Sequence, residues 1–407
     1  MNIIEGGVTA AKGFEAAGVE AAIKYQNRKD MALIYSEAPC TAAGVFTSNM
    51  VKAAPVLWDK EIVAHSPAVH AVVVNAGIAN ACTGSEGYEC CKKTAQAAAE
   101  CLQVSEDAVL VASTGVIGMQ LPVDRIAAGV KVLVEKKKDT IEAGQMAAEA
   151  IMTTDTISKQ AAVTVEIGGK TVTLGGMCKG SGMIHPNMCT MLGFITSDIA
   201  ISKELLQEAL REDVKDTFNM ISVDGDTSTN DTLVILTNGM AGNPEITSKN
   251  GDYDKFREAL HYINEALAKK MAGDGEGATA LFEVKVIHAK TKEDARILSR
   301  SVISSNLTKA AIFGHDANLG RAFCALGYSG VEFDPNLVDL YLENEEKSLP
   351  AYKNGVMLDY SEEEATQILS SPAVRILADM NCGNAEAAAW GCDLTFDYVK
   401  INADYRS

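Results

Sequence analysis

The chain has 407 residues, more than the ~250–300 that one hydrophobic core usually serves, so two bodies of core are expected. Hydrophobic residues make up 47% and charged residues 22%, a globular balance that argues against long disordered tracts. Thirty-six Lys and Arg against 54 acids leave a net charge of −18, which argues against nucleic acid or an anionic membrane as partner, because both need clustered cations.

In chain order, aliphatic runs predict strands over Ala32–Ser36, Ala71–Asn75 and Ala108–Ala112. Helices are expected over Glu89–Leu102 and over one long stretch, Val123–Met152. In the latter, Ile126, Val130, Leu133 and Val134 recur at helical spacing. Ala162–Ile167 and Lys170–Leu174 are split by Gly168-Gly169, a hairpin signal. Ser202 is placed to cap a helix reaching about Thr217, and a strand follows at Thr232–Thr237. A turn at Asn250-Gly251 precedes a helix over Tyr253–Met271. Thr279–His288 alternates as a strand with Val284, Val286 and His288 on one face. Further helices start at Thr291 and at Ser361, where Glu364 completes a capping box. Strands interleave with helices and several pair as hairpins. The expected class is therefore α+β, or mixed α/β layers, rather than a plain parallel doubly wound sheet.

Ten cysteines occur without any C-x-x-C spacing, so no zinc site is expected. Cys82, Cys101, Cys324, Cys382 and Cys392 lie among Ala, Leu and Gly and read as reduced core thiols. The N-terminus shows no signal-peptide pattern, and no apolar run reaches the ~18–20 residues that span a bilayer. A cytoplasmic location is expected.

Residues 179–198, KGSGMIHPNMCTMLGFITSD, carry the most chemical information. A cation, two glycines and a proline lead into a hydroxyl residue, Thr190, that opens an apolar run. A threonine so placed can attack the preceding carbonyl if the backbone is held in strain and donors stabilise the oxyanion. The freed α-amine, with an ordinary pKa of about 7.7–8.0, can then serve as base to the threonine's own hydroxyl. A glycine turn feeding a buried strand or helix accounts for the same residues. Elsewhere, Thr114-Gly115 follows an apolar strand and offers a hydroxyl and an N–H as oxyanion donors; a polar strand cap is the alternative. The GDGEG run at 273–277 lacks the G-x-x-x-x-G-K-[ST] pattern, and its acids repel phosphate. It reads better as a tight loop presenting Glu276 to a cationic group. Asp224, Asp226 and Ser228 imitate the start of a calcium loop, but Thr229 and Ile235 stand where Gly and Glu are required, so a structural turn is expected.

Several segments resemble, in order, those of the ornithine acetyltransferase family, also called bifunctional glutamate N-acetyltransferase, of arginine biosynthesis. They are GGVTAAKGFEAAGV near the start, CTAAGVFTSNMVKAAPV at 40–56, ASTGVIG at 112–118, KGSGMIHPNMCTML at 179–192 and SVDGDTSTNDT at 222–232. GDGEGAT at 273–279, DANLGR at 316–321 and the ending WGCDLTFDYVKINADYRS complete the set. The resemblance implies a self-processing, N-terminal-nucleophile-type architecture: a layered sandwich of helices and mixed sheets. Cleavage between Cys189 and Thr190 would give two interlocked chains, 1–189 and 190–407. It implies Thr190 as nucleophile, and Thr114 (side chain) and Gly115 (N–H) as oxyanion hole. It implies Thr153, Lys179, Thr190, Glu276, Asn402 and Ser407 as substrate contacts. N-acetylornithine and glutamate are the implied substrates, with acetyl-CoA as a further candidate donor. No cofactor or metal is implied, and the assembly expected is a heterotetramer of the two chain types. A self-processing aminopeptidase or amidase of related fold is the alternative. Three departures stand out: Cys189 where the family has Ala, His185 at a usually small position, and Ser407 where Thr is common. Thr190 supplies the attacking hydroxyl, so Cys189 need contribute only its carbonyl. His185 is expected to be a partly exposed loop residue. Phe396 and Tyr398 are expected to anchor the C-terminal tail.

Overall fold

The computed structural model describes residues 1–185 and 191–404. They form two compact bodies that interleave along the chain: Met1–Gly180 with 191–215 and Thr227–Leu267, and Ser181–His185 with Asp216–Asp226 and 268–404.

The strands of the first body are β1 (Asn2–Ile4), β2 (Phe14–Val19), β3 (Met31–Phe46), β4 (Val69–Ile78), β5 (Val109–Val116), β6 (Lys159–Ile167), β7 (Lys170–Lys179) and β8 (Leu192–Ser197). After the short β9 (Ile221–Ser222) of the second body comes β10 (Thr232–Thr237). Among the described residues they make one nine-stranded sheet, ordered β1-β6-β7-β8-β10-β3-β4-β5, with β2 also on β3. The pairs β4·β5 and β8·β10 are parallel, while β3 lies antiparallel to β2, β4 and β10, so the sheet is mixed. Every residue of β8 and β10 is buried, which explains their unbroken apolar character. The hairpin expected at Gly168-Gly169 is present. Both glycines have positive φ, +57° and +73°, as a tight right-twisted turn demands.

Three expectations are corrected. Strand β3 runs well past Ser36: a register shift between Tyr35 and Cys40 accommodates Glu37 and Pro39, Cys40 pairs again with Val69 of β4, and Thr41–Phe46 pair with β10. The long helix expected over 123–152 is two helices, α1 (Val123–Lys136) and α2 (Ile141–Ala150). Between them Lys138 makes a two-way backbone bridge with Ala16, and the Thr140 hydroxyl accepts from Ala143 N–H to start the second helix. The helix capped by Ser202, α3 (Lys203–Asp213), ends short of Thr217. The core of this body is aliphatic and alanine-rich, centred on Leu33, Ile34, Val72, Val74, Leu110 and Phe194.

The second body holds a seven-stranded mixed sheet among its described residues. Its strands after β9 are β11 (Leu281–Ala289), β12 (Asp339–Glu343), β13 (Ser348–Lys353), β14 (Val356–Met357), β15 (Ala373–Asp379) and β16 (Ala385–Cys392), ordered β14-β13-β12-β15-β11-β16-β9. Helix α4 (Lys292–Ile303), capped by Thr291, packs on β11 and β16. The helix after Ser361, α5 (Glu362–Leu369), starts where that hydroxyl accepts from Glu364 N–H. Helix α6 (Phe396–Ala403) closes the described chain, capped by Thr395. His288 does not share a face with Val284 and Val286. A bulge between Val286 and Ala289 turns it outward with φ +52°, onto the Asp379 carboxylate. The core-thiol reading also needs correction. Of the five cysteines assigned to it only Cys392 is buried; Cys101 is half-buried, and Cys82, Cys324 and Cys382 are exposed. Small neighbours in sequence did not make those positions interior.

Candidate active site

Thr190, Cys189 and Ser407 lie outside the described residues. The other expected site residues fall into three groups, two in the first body and one in the second.

Lys179 ends β7, and its side chain is almost wholly buried. Its Nζ donates to Thr153 Oγ1 at 2.9 Å, so these two expected substrate contacts meet. Neither would hold that pose without Asp155. One Asp155 oxygen accepts from Lys159 Nζ and from Gly180 N–H, both at 2.7 Å. The other accepts from Thr153 N–H at 3.1 Å and lies 3.7 Å from Lys179 Nζ. Burial alone would raise this carboxyl, but the Lys179 and Lys159 ammonium groups and the Gly180 N–H hold it well below the usual carboxylate range. A buried charge persists only when paired, and here one carboxylate serves two ammonium groups. Arg28 adds a clamp by donating to the carbonyls of Met152 and Thr153. Sequence reasoning missed Asp155. Its one signal was Lys159 four residues on, which looks like any surface pair until the register sets Lys159 opposite Cys178, beside Lys179.

Thr114 and Gly115 lie near the end of β5, in register with Ala76 and Gly77 of β4. Gly115 has φ +129°, and a Cβ there would sit 2.2 Å from the Gly77 carbonyl carbon, so no other residue fits. The backbone around this pair is fixed by a polar network. Ser113 Oγ donates to Asn75 Oδ1 at 2.6 Å, and Asn230 Nδ2 donates to the carbonyls of Ser113 (2.8 Å) and Ala79 (2.6 Å). Asn230 was not singled out from sequence, although it lies inside the SVDGDTSTNDT segment.

In the second body Glu276 is buried, and Asn402 Nδ2 donates to its Oε2 at 2.6 Å. These two expected contacts therefore also meet. The Glu276 carboxylate lies against Gly182, where a Cβ would come within 2.3 Å of it, so any larger residue there would displace that carboxylate. Glu276 N–H donates to the Ser181 carbonyl and Ser181 Oγ donates to the Asp274 carbonyl, which fastens the 181–182 segment to the acidic loop. Thr395 Oγ1 bonds the Gly277 carbonyl, and Tyr398 OH donates to Asp224 Oδ2 at 3.2 Å. Tyr398 is thus an anchor of α6, as expected. Phe396 is 83% exposed and meets the edge of Phe313, so it is not the buried anchor that was expected.

His185 is half-buried between Arg300 and Ser222. Arg300 can only donate, so His185 Nε2 accepts (3.0 Å) and Nδ1–H donates to Ser222 Oγ (3.0 Å). Burial first, then the Arg300 charge, lower its pKa to about 4. The ring is a neutral bracket, in keeping with a structural loop role. Its folded pKa lies below the unfolded value of about 6.5, so the unfolded chain takes up the proton first as pH falls. Stability should therefore decline from about pH 6.5 toward about 4. Denaturation midpoints at pH 7 and pH 5 should differ less in His185→Asn than in the parent; equal differences would contradict this role.

Among the described residues no group of three or more His, Cys, Asp or Glu side chains could hold a metal ion, and no helix is long and apolar enough to cross a membrane.

Two mixed sheets with helices packed on them define a mixed α/β protein that buries an ammonium group in one body and a carboxylate in the other. The ArgJ family model matches residues 15–407. The arginine biosynthesis bifunctional protein ArgJ of Symbiobacterium thermophilum is 52% identical, covering 100% of both chains. ArgJ 1 of Clostridium acetobutylicum is 50% identical, over 98% of this chain and 97% of its own. A crystal structure of ornithine acetyltransferase complexed with ornithine, from Mycobacterium tuberculosis, is 45% identical with a TM-score of 0.42, covering 45% of this chain and 95% of that one. The chain belongs to the ArgJ family and is a transferase of arginine biosynthesis.

Proposed function

We propose that the chain cuts itself between Cys189 and Thr190 and then carries an acetyl group from N2-acetylornithine to glutamate on Thr190. In the first reaction Thr190 Oγ attacks the Cys189 carbonyl carbon, the peptide C–N bond breaks, and the resulting ester is hydrolysed by water. This frees the Cys189 carboxylate and the Thr190 amine. The products, 1–189 and 190–407, stay associated, and two such pairs form a heterotetramer in the cytoplasm.

In the second reaction the Thr190 amine takes the hydroxyl proton as Oγ attacks the acetyl carbonyl, and Thr114 Oγ and Gly115 N–H stabilise the oxyanion. The amide C–N bond breaks, the leaving amine receives the proton, and ornithine departs. The glutamate amine then attacks the acetyl ester, giving N-acetylglutamate and restoring the Thr190 hydroxyl. Acetyl-CoA is a second donor in this scheme.

The observation that carries the reading is a buried ammonium group in the first body and a buried carboxylate in the second. Lys179, held by Thr153 and Asp155, suits an α-carboxylate, and Glu276, held by Asn402, suits a side-chain ammonium. Incubation of purified protein with N-acetylornithine and glutamate should yield N-acetylglutamate and ornithine in equal amounts. Release of free acetate alone would instead make the chain a hydrolase.

A further inference from the structure

Asp224 was read from sequence as part of a turn that imitates a calcium loop. In the structure its carboxylate is occupied by four donors. Oδ2 accepts from Met183 N–H (2.6 Å) and Tyr398 OH (3.2 Å), and Oδ1 accepts from Ile184 N–H (2.9 Å) and Asp226 N–H (3.1 Å). Two of these come from consecutive backbone groups a few residues before Thr190, and one from the helix that carries Asn402. Val223 N–H also donates to the Ile184 carbonyl at 2.7 Å, so residue 184 is gripped from both sides.

We propose that Asp224 is a positioning residue that ties the segment leading into the Cys189–Thr190 bond to the C-terminal helix bearing Asn402. The inference rests on the self-cleavage reading above. Attack of a side chain on its own preceding carbonyl requires a backbone held in one unfavourable conformation, and every loose residue upstream dilutes that conformation. Residues 181–184 are all held. Ser181 is bonded to the 274–276 loop, Gly182 lies against the Glu276 carboxylate, and Met183 and Ile184 hang on Asp224. Met183 has φ +56°, a left-handed conformation that a non-glycine residue keeps only when its surroundings impose it. The Asp224 carboxylate supplies that constraint through the Met183 N–H.

The same carboxylate reaches α6 through Tyr398. Burial, then the Asp224 charge, push the Tyr398 phenol up, so it remains a donor throughout the working pH range. The Tyr398 carbonyl in turn accepts from Asn402 Nδ2 at 3.0 Å, and that amide also holds Glu276. One aspartate therefore supports the cleavage segment directly and the substrate-binding acid through the helix.

The test uses the full chain carrying Asp224→Ala, Asp224→Asn or Tyr398→Phe, with cleavage followed by gel and mass spectrometry and transfer followed with N-acetylornithine and glutamate. Asp224→Ala should slow cleavage about tenfold or more, since two charge-assisted bonds to the segment are lost. Asp224→Asn keeps an acceptor for only one of the two N–H groups and should recover part of that loss, which a residue serving only as bulk would not show. Tyr398→Phe should cleave at the parent rate and raise the KM for N-acetylornithine about threefold to tenfold with kcat little changed, because only ground-state holding is weakened. Cleavage of Asp224→Ala at the parent rate would overturn the inference, as would an unchanged KM in Tyr398→Phe. If Asp224→Ala fails to fold, the Tyr398→Phe KM decides. A parent chain that stays uncut would overturn the self-cleavage reading itself, and this inference with it.

Discussion

Thr190→Ala is expected to leave one uncut chain with no transferase activity. Both proposed reactions pass through the Thr190 oxygen, and the second also needs the amine that the first releases. Removing a nucleophile that acts with its base as a unit costs about 10⁴-fold or more, which in a transferase assay means no detectable turnover. Thr190→Ser keeps the hydroxyl and should still cleave, more slowly. Cleavage that persists in Thr190→Ala would mean another group does the cutting, and the thiol of Cys189 would be the first candidate.

The second large effect is a split between two charge substitutions. Both proposed substrates carry an α-carboxylate, and only ornithine carries a side-chain ammonium. Lys179→Met should therefore raise the KM for N-acetylornithine and for glutamate alike, by about 100-fold, the usual scale for losing one partner of a desolvated charge pair. It leaves Asp155 with Lys159 as its remaining lysine partner, so the fold should survive. Glu276→Gln should weaken N-acetylornithine by a similar factor and leave the KM for glutamate within a few fold. Asn402 can still bond the amide oxygen, which separates charge from shape. Steady-state kinetics with each substrate varied in turn reads both. Equal effects of Glu276→Gln on the two substrates would remove it from the ammonium subsite.

Sequence patterning revealed those elements whose local chemistry and tertiary setting agree. Thr232–Thr237 is a strand of uniform burial, Gly168-Gly169 is a turn whose φ values only glycine adopts freely, and Ser202, Thr291 and Ser361 cap the helices they precede. Where distant contacts decide, patterning misled. The apolar period of 123–152 runs on through a break that exists because Lys138 pairs with Ala16, more than a hundred residues earlier in the chain. The bulge that turns His288 outward depends on β16, and the exposure of Cys82, Cys324 and Cys382 depends on packing, not on their neighbours in sequence.

The site divides in the same way. Its proposed reacting and charged groups were legible through the resemblance, which matches an ammonium to a carboxylate, an acid to an ammonium and a glycine N–H to an oxyanion. The residues that hold them were not. Asp155, Asn230 and Asp224 look like ordinary loop polar residues, and only the folded chain brings each to several backbone or ammonium donors or to paired carbonyls. The resemblance supplied roles for Thr153, Lys179, Glu276 and Asn402, and the structure adds the hydrogen bonds that fix their poses.

Cleavage before Thr190 is read out by an intact mass spectrum of the purified protein. Two polypeptides are expected, one ending at Cys189 and the other beginning at Thr190. A single species at the full 43.1 kDa, in protein that converts N-acetylornithine and glutamate, would contradict that cleavage.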